Sequence, residues 1–215
     1  MNRTLAFVAA SVCAIAASPA LAQEMAPTDA VVRPDAGREG LYAKVGLGAN
    51  YMSWSMDEKG AEASANGLGA NLNLAAGYLV IPNLALFGEF NYEMALSPGG
   101  EALGQEIADE AELSMNFLSV GPGAAYFLSD DIFLQGSILY AQANLDSKGG
   151  GESDPATGFG LRVGAGKEFR MSDDFLLGAG ANFFYGMLSN EVEGSSEGLS
   201  SNAMSFGVTL SASYN

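Results

Sequence analysis

The chain has 215 residues, 25 of them acidic and 9 basic, for a formal charge of −16, and it contains no histidine. That excludes the commonest general base, the usual neutral metal ligand and the side chain that switches charge near neutral pH, and it leaves too few cations to neutralise the phosphates of a nucleic acid. Hydrophobic residues make up 48% of the chain against 16% charged, yet past the N-terminus no run is long and apolar enough for a membrane-spanning helix.

The N-terminus has the anatomy of a secretory signal. Asn2 and Arg3 form a short positive region, Leu5 to Ala17 an apolar core, and Ala20-Leu21-Ala22 a small-x-small cleavage site, so residues 1–22 are expected to leave and Gln23 to begin the mature chain. A transmembrane anchor is the rival reading, but the run is too short to cross a bilayer and Pro19 interrupts it. The one cysteine, Cys13, lies in this segment, so the mature chain has no thiol for a disulfide or a metal site. Without Arg3 the formal charge becomes 8 − 25 = −17. Residues 23–39 carry Pro27 and Pro34 and no periodicity, and are expected to form a flexible periplasmic lead-in.

From residue 40 to 215 the chain alternates with period two, the signature of β-strands. In the first segment Leu41, Ala43, Val45, Leu47, Ala49 and Tyr51 share one face. In the second the apolar face runs from Leu68 to Val80. After a tight turn at Pro82-Asn83, the third sets Leu84, Leu86, Phe90, Tyr92 and Met94 against Phe87, Glu89, Asn91 and Glu93. Further strands are expected near 113–128, 132–145, 158–171, 175–188 and 204–214. The fourth is the least regular, and a β-bulge near Phe117 would reconcile its two halves. Short connections at 82–83, 129–131 and 172–174 alternate with long ones near 55–66, 97–112, 146–157 and 189–202. An even strand count with short turns at one end and long loops at the other predicts an all-β fold, an eight-stranded antiparallel up-and-down transmembrane β-barrel.

Eight-stranded barrels also exist in water with the apolar face inward, so the direction of that face has to be argued. About 40 apolar side chains exceed what so narrow an interior holds. Seven of the eight tyrosines also lie on the apolar face and sort by height: Tyr51, Tyr92, Tyr140 and Tyr185 toward the long loops, Tyr78, Tyr126 and Tyr214 toward the short turns. Two such girdles are what the two lipid–water interfaces select, because the ring is apolar and its hydroxyl seeks water. The apolar face is therefore expected to point into lipid.

The opposite face then lines the lumen and carries Lys44, Glu89, Glu93 and Arg162. Unpaired buried charges are costly, so these four are expected to form a network bridged by Asn71, Asn73, Gln135 and Asn182, closing the lumen. The same network could serve as the gate of a narrow porin-like channel for small solutes, which is the alternative. Two carboxylates beside cations make poor general acids, and no catalytic, cofactor or metal site is expected. Recurrent Gly-x-Gly pairs do not form a nucleotide loop, since Gly166-Lys167 is followed by Glu168 and no helix follows; they are expected to keep the lumen face small. The four long loops hold 14 acidic residues against Lys59 and Lys148, without the ligand spacing of a calcium loop, and are expected to form a solvated, repulsive surface.

On strand pattern, loop alternation and tyrosine girdles, residues 40 to 215 resemble the small eight-stranded outer-membrane barrels typified by OmpX and the transmembrane domain of OmpA. The end of the chain, with Ser205, Gly207, Leu210, Ala212 and Tyr214, is similar to the signal read by the barrel-assembly machinery, although Asn215 follows the aromatic where the family ends on Phe. The resemblance implies a bacterial outer-membrane location, contacts with outer-membrane lipid and lipopolysaccharide, and a monomer with a structural, envelope-integrity or surface-interaction role. The lipid A deacylase and palmitoyltransferase barrels that resemble this fold rely on His with Ser. Without His, their activities do not carry over.

Overall fold

The computed structural model describes residues 40–58, 61–96, 98–102, 105–106, 113–128, 131–147, 155–190 and 199–214. The expected signal segment and lead-in lie outside the described residues, as do most of the acidic loop residues. The alternation becomes strands β1 (Gly40–Glu58), β2 (Ala61–Ile81), β3 (Leu84–Ala95), β4 (Gly99–Ala102), β5 (Gln105–Glu106), β6 (Leu113–Phe127), β7 (Ile132–Ser147), β8 (Ala156–Arg170), β9 (Phe175–Asn190) and β10 (Leu199–Tyr214). Every pairing is antiparallel, each long strand pairs with its neighbours in sequence, and β1 pairs with both β2 and β10, so eight strands close into a barrel. Closure leaves no sheet edge in the wall, which is what a sheet surrounded by lipid requires. The short β4 and β5 form a ribbon on the upper part of β2, where Ala63 to Asn66 pair with Ala102 to Gly99 above the end of β3.

Two local expectations are corrected. The first long connection, expected near 55–66, is ladder: Asp57 pairs with Glu62 and Glu58 with Ala61, so β1 and β2 run 19 and 21 residues, well beyond the ~10 residues that cross a bilayer. There is also no bulge near Phe117. The register of β6 runs unbroken against β3 and does not shift against β7, where only Gly121 and Pro122 are left unpaired, and Met115 and Phe117 simply continue the inward face. The one register shift in the β2–β3 hairpin falls beside its turn, between Leu79 and Ile81. In the β6–β7 turn Asp131 takes φ 59°, a left-handed conformation that Asp tolerates better than most residues.

The apolar face points outward. On β1, Leu41, Val45, Leu47 and Tyr51 are exposed; on β10, Met204, Phe206, Val208, Leu210 and Tyr214 are. Above this band the outward residues turn polar, as at Ser55, Asn66, Ser114, Ser189 and Asn202. All seven girdle tyrosines are exposed, four on upward strands at the upper edge of the apolar band and three near the bottom of downward ones. Tyr140 stacks edge-on against Phe159, and the Tyr185 hydroxyl donates to Asn202 Oδ1 at 3.0 Å, its ring in the band and its polar tip at the rim.

Candidate functional site in the barrel interior

The inward face alternates with the lipid-facing one, so its residues are fixed by the same period, but they meet partners across the lumen rather than along the wall. From bottom to top they sort into three layers. Near the short turns, Tyr42 packs its ring 5.6 Å from Phe87 and 6.1 Å from Phe127, with Ala75, Ala85, Ala125 and Phe133 around them. Near the long loops a larger apolar cluster gathers Met52, Trp54, Met115, Phe117, Leu139, Phe184 and Leu188 among small alanines. Between them lies a belt of buried polar residues. Glycines make room for the rings: a Cβ added at Gly160 would stand 2.5 Å from the Phe184 ring, and one at Gly123 equally close to that of Phe87. The glycine periodicity thus serves lumen packing.

Arg162 on β8 is the centre of the belt. It is 2% exposed, with Nη1 3.2 Å from Glu93 Oε1 and Nε 3.7 Å from Glu89 Oε1, both carboxylates reached across the lumen on β3. Its Nη2 donates to Asn182 Oδ1 at 2.9 Å. Each carboxylate has further donors: Glu93 accepts from Asn50 Nδ2 at 2.6 Å, and Glu89 accepts from Asn73 Nδ2 at 2.6 Å and from the Ser137 hydroxyl. Asn182 Nδ2 donates to Thr209 Oγ1 at 2.8 Å, and Thr209 Oγ1 donates in turn to Asn71 Oδ1 at 3.4 Å. A buried ion pair offsets its desolvation only when the remaining lone pairs are occupied in this way.

The structure therefore brings together Glu89, Glu93, Arg162, Asn71, Asn73 and Asn182. It leaves Lys44 out of that cluster. The Lys44 ammonium donates to Gln135 Oε1 at 3.0 Å and sits 3.9 Å over the Phe133 ring, which a cation favours. Sequence reasoning missed Glu168, which is 1% exposed and accepts from the Ser213 hydroxyl at 2.9 Å, although it shares the inward parity of Arg162. It also left Asn50, Asn91, Ser137 and Thr209 out of the network. The residues expected to signal assembly occupy β10, with Leu210, Ala212 and Tyr214 on the outward face and Ser205 and Gly207 turned inward and buried. Among the described residues, no group of His, Cys, Asp or Glu could hold a metal ion.

Among the described residues, the interior holds a belt of buried polar side chains with buried apolar clusters above and below it. An eight-stranded barrel has an interior just wide enough for such side chains to fill.

No curated protein matches the chain. Solved structures similar to it include Neisserial surface protein A, at 16% identity over 79% of this chain and 95% of that one with a TM-score of 0.42. Ail, the attachment invasion locus protein of Yersinia pestis, shows 17% identity over 81% and 99% with a TM-score of 0.40. The outer membrane protein AlkL shows 11% identity over 88% and 96% with a TM-score of 0.49. The model of the outer membrane protein beta-barrel domain matches residues 6–212, and with eight antiparallel strands closed into a barrel the chain belongs to that family, among its small barrels.

Proposed function

We propose that this protein is a non-enzymatic barrel of the bacterial outer membrane whose work is done by its surface, in envelope integrity or surface interaction, while its lumen stays shut. One observation carries this reading: the polar belt is capped above and below by buried apolar clusters, so a solute would have to displace Phe117 and Leu139 at one end and Tyr42 and Phe87 at the other. In this reading the apolar caps exclude water, and the Arg162 network fixes the spacing of the walls between them. The protein reaches the membrane after loss of residues 1–22, is inserted by the assembly machinery through the β10 signal, and stands as a monomer among lipid and lipopolysaccharide.

A second reading, a narrow channel for small solutes, is favoured by Asn71 Nδ2 and Asn91 Nδ2, buried donors at mid-height that make no hydrogen bond within the protein and would be satisfied by water in a conducting pore. Planar-bilayer recording separates the two. The wild-type barrel is expected to be silent, and Phe117→Ala with Leu139→Ala to admit small conductance steps. Wild-type steps that change with Glu89→Ala would sink the closed reading and establish the channel.

A further inference from the structure

The lower girdle has a gap. The downward barrel strands β2, β6 and β10 each place an exposed tyrosine toward the short turns, namely Tyr78, Tyr126 and Tyr214, but β8 places none. Its outward residues there are Lys167 and Phe169, both exposed, with the Lys167 ammonium 5.8 Å from the Phe169 ring centre. Together the pair offers what one tyrosine offers, an apolar ring and a polar tip, but here the tip is a cation. Among the described residues, Lys167 is the one charged side chain on the outward face of the apolar band. A lysine in such a place extends its stem along the apolar wall and its ammonium to the headgroup layer.

The wall beside it carries small side chains. Lys167 pairs with Ala179, and Ala165 one step higher pairs with Ala181, with Gly136 on the adjoining strand. Leu134, Val163, Phe169 and Leu177 rise around these small residues. A second patch of small residues, at Ala43, Ala76, Gly88 and Ala212 on another part of the wall, lines a hollow and has no outward cation.

We infer that Lys167 binds the phosphate of a phospholipid in the leaflet on the short-turn side, whose acyl chain lies against Ala165, Ala179 and Ala181. The charge selects the headgroup, since a lysine near a membrane surface attracts anionic lipid, and the small side chains let the chain approach. The occupant is an anionic phospholipid rather than a neutral one, because the one charge on the outward wall there is the Lys167 ammonium.

The test is native mass spectrometry of the full-length barrel in mild detergent, titrated with phosphatidylglycerol or phosphatidylcholine. Wild type is expected to retain one phosphatidylglycerol about fivefold more tightly than Lys167→Gln, Lys167→Arg to keep that retention, and phosphatidylcholine to show no such difference. The heat-dependent gel shift confirms that each variant is folded. Arg170→Gln removes an equal charge from the same strand end on the other parity and is expected to leave retention unchanged. Equal retention by wild type and Lys167→Gln, or an equal loss in Arg170→Gln, overturns the proposal, the latter by showing that general charge is responsible. Competition by inorganic phosphate with no effect of the acyl chain also overturns it.

Discussion

The two faces of the barrel wall stack the same residue types in opposite order. Outside, apolar side chains fill the middle and polar ones, such as Ser55 and Asn202, take over above. Inside, the polar belt around Arg162 holds the middle and the apolar clusters lie above and below it. Each face meets a different partner: the outer middle meets hydrocarbon, which demands apolar groups, whereas the inner middle meets only the opposite wall, which tolerates charge once it is paired. Polarity along a strand is therefore set by what each face touches at that height, and an average over both faces shows neither order.

Breaking the inner order should have the largest effect. Arg162→Leu leaves Glu89 and Glu93 buried without their cation and is expected to cost ~3–5 kcal/mol in urea unfolding of the vesicle-inserted barrel. Adding Glu89→Gln and Glu93→Gln should restore most of that loss; a triple variant as unstable as the single one would show that charge pairing is not the cause. Breaking the outer order comes next. Val208→Arg, exposed in the middle of the band on β10, is expected to cost ~2–4 kcal/mol, against about 0–1 for Asn202→Arg at the rim of the same strand. Equal costs at the two heights would mean that the band does not mark the lipid boundary. The smallest effect sharpens that boundary: Tyr185→Phe removes the donation to Asn202 across the rim and should cost about 0.5 kcal/mol.

The outer face was nearly all legible in the sequence, because lipid allows few exceptions to an apolar run and the tyrosines mark its height. The inner face was legible only as a set of positions. Parity assigns Lys44, Glu89, Glu93 and Arg162 to the lumen, yet which of them meet depends on strand stagger around the closed barrel, which parity does not contain; hence Arg162 reaches β3 while Lys44 turns to Gln135 and Phe133. Glu168 was within reach of the same rule. Met52 and Trp54 were hidden for a different reason. Above Tyr51 the alternation inverts, with serines outward and large apolar groups inward, so a strand that continues looks from its outer face as if it had ended. The bulge expected at Phe117 came from that same inversion on β6.

The interior bonds also bear on how the barrel forms. Closure pairs Ala43 with Tyr214, 214 − 43 = 171 positions apart in sequence, a contact whose entropic cost falls late in folding. Several interior bonds skip over strands: Thr209 on β10 reaches Asn71 on β2 past β1, Lys44 on β1 reaches Gln135 on the far wall, and Arg162 reaches Glu93 past β7 and β6. An open sheet brings none of these partners together. A half-assembled intermediate would carry unpaired charges on the face that later becomes the lumen, so partly closed states in lipid are disfavoured, and insertion and sealing of the wall become a single cooperative event.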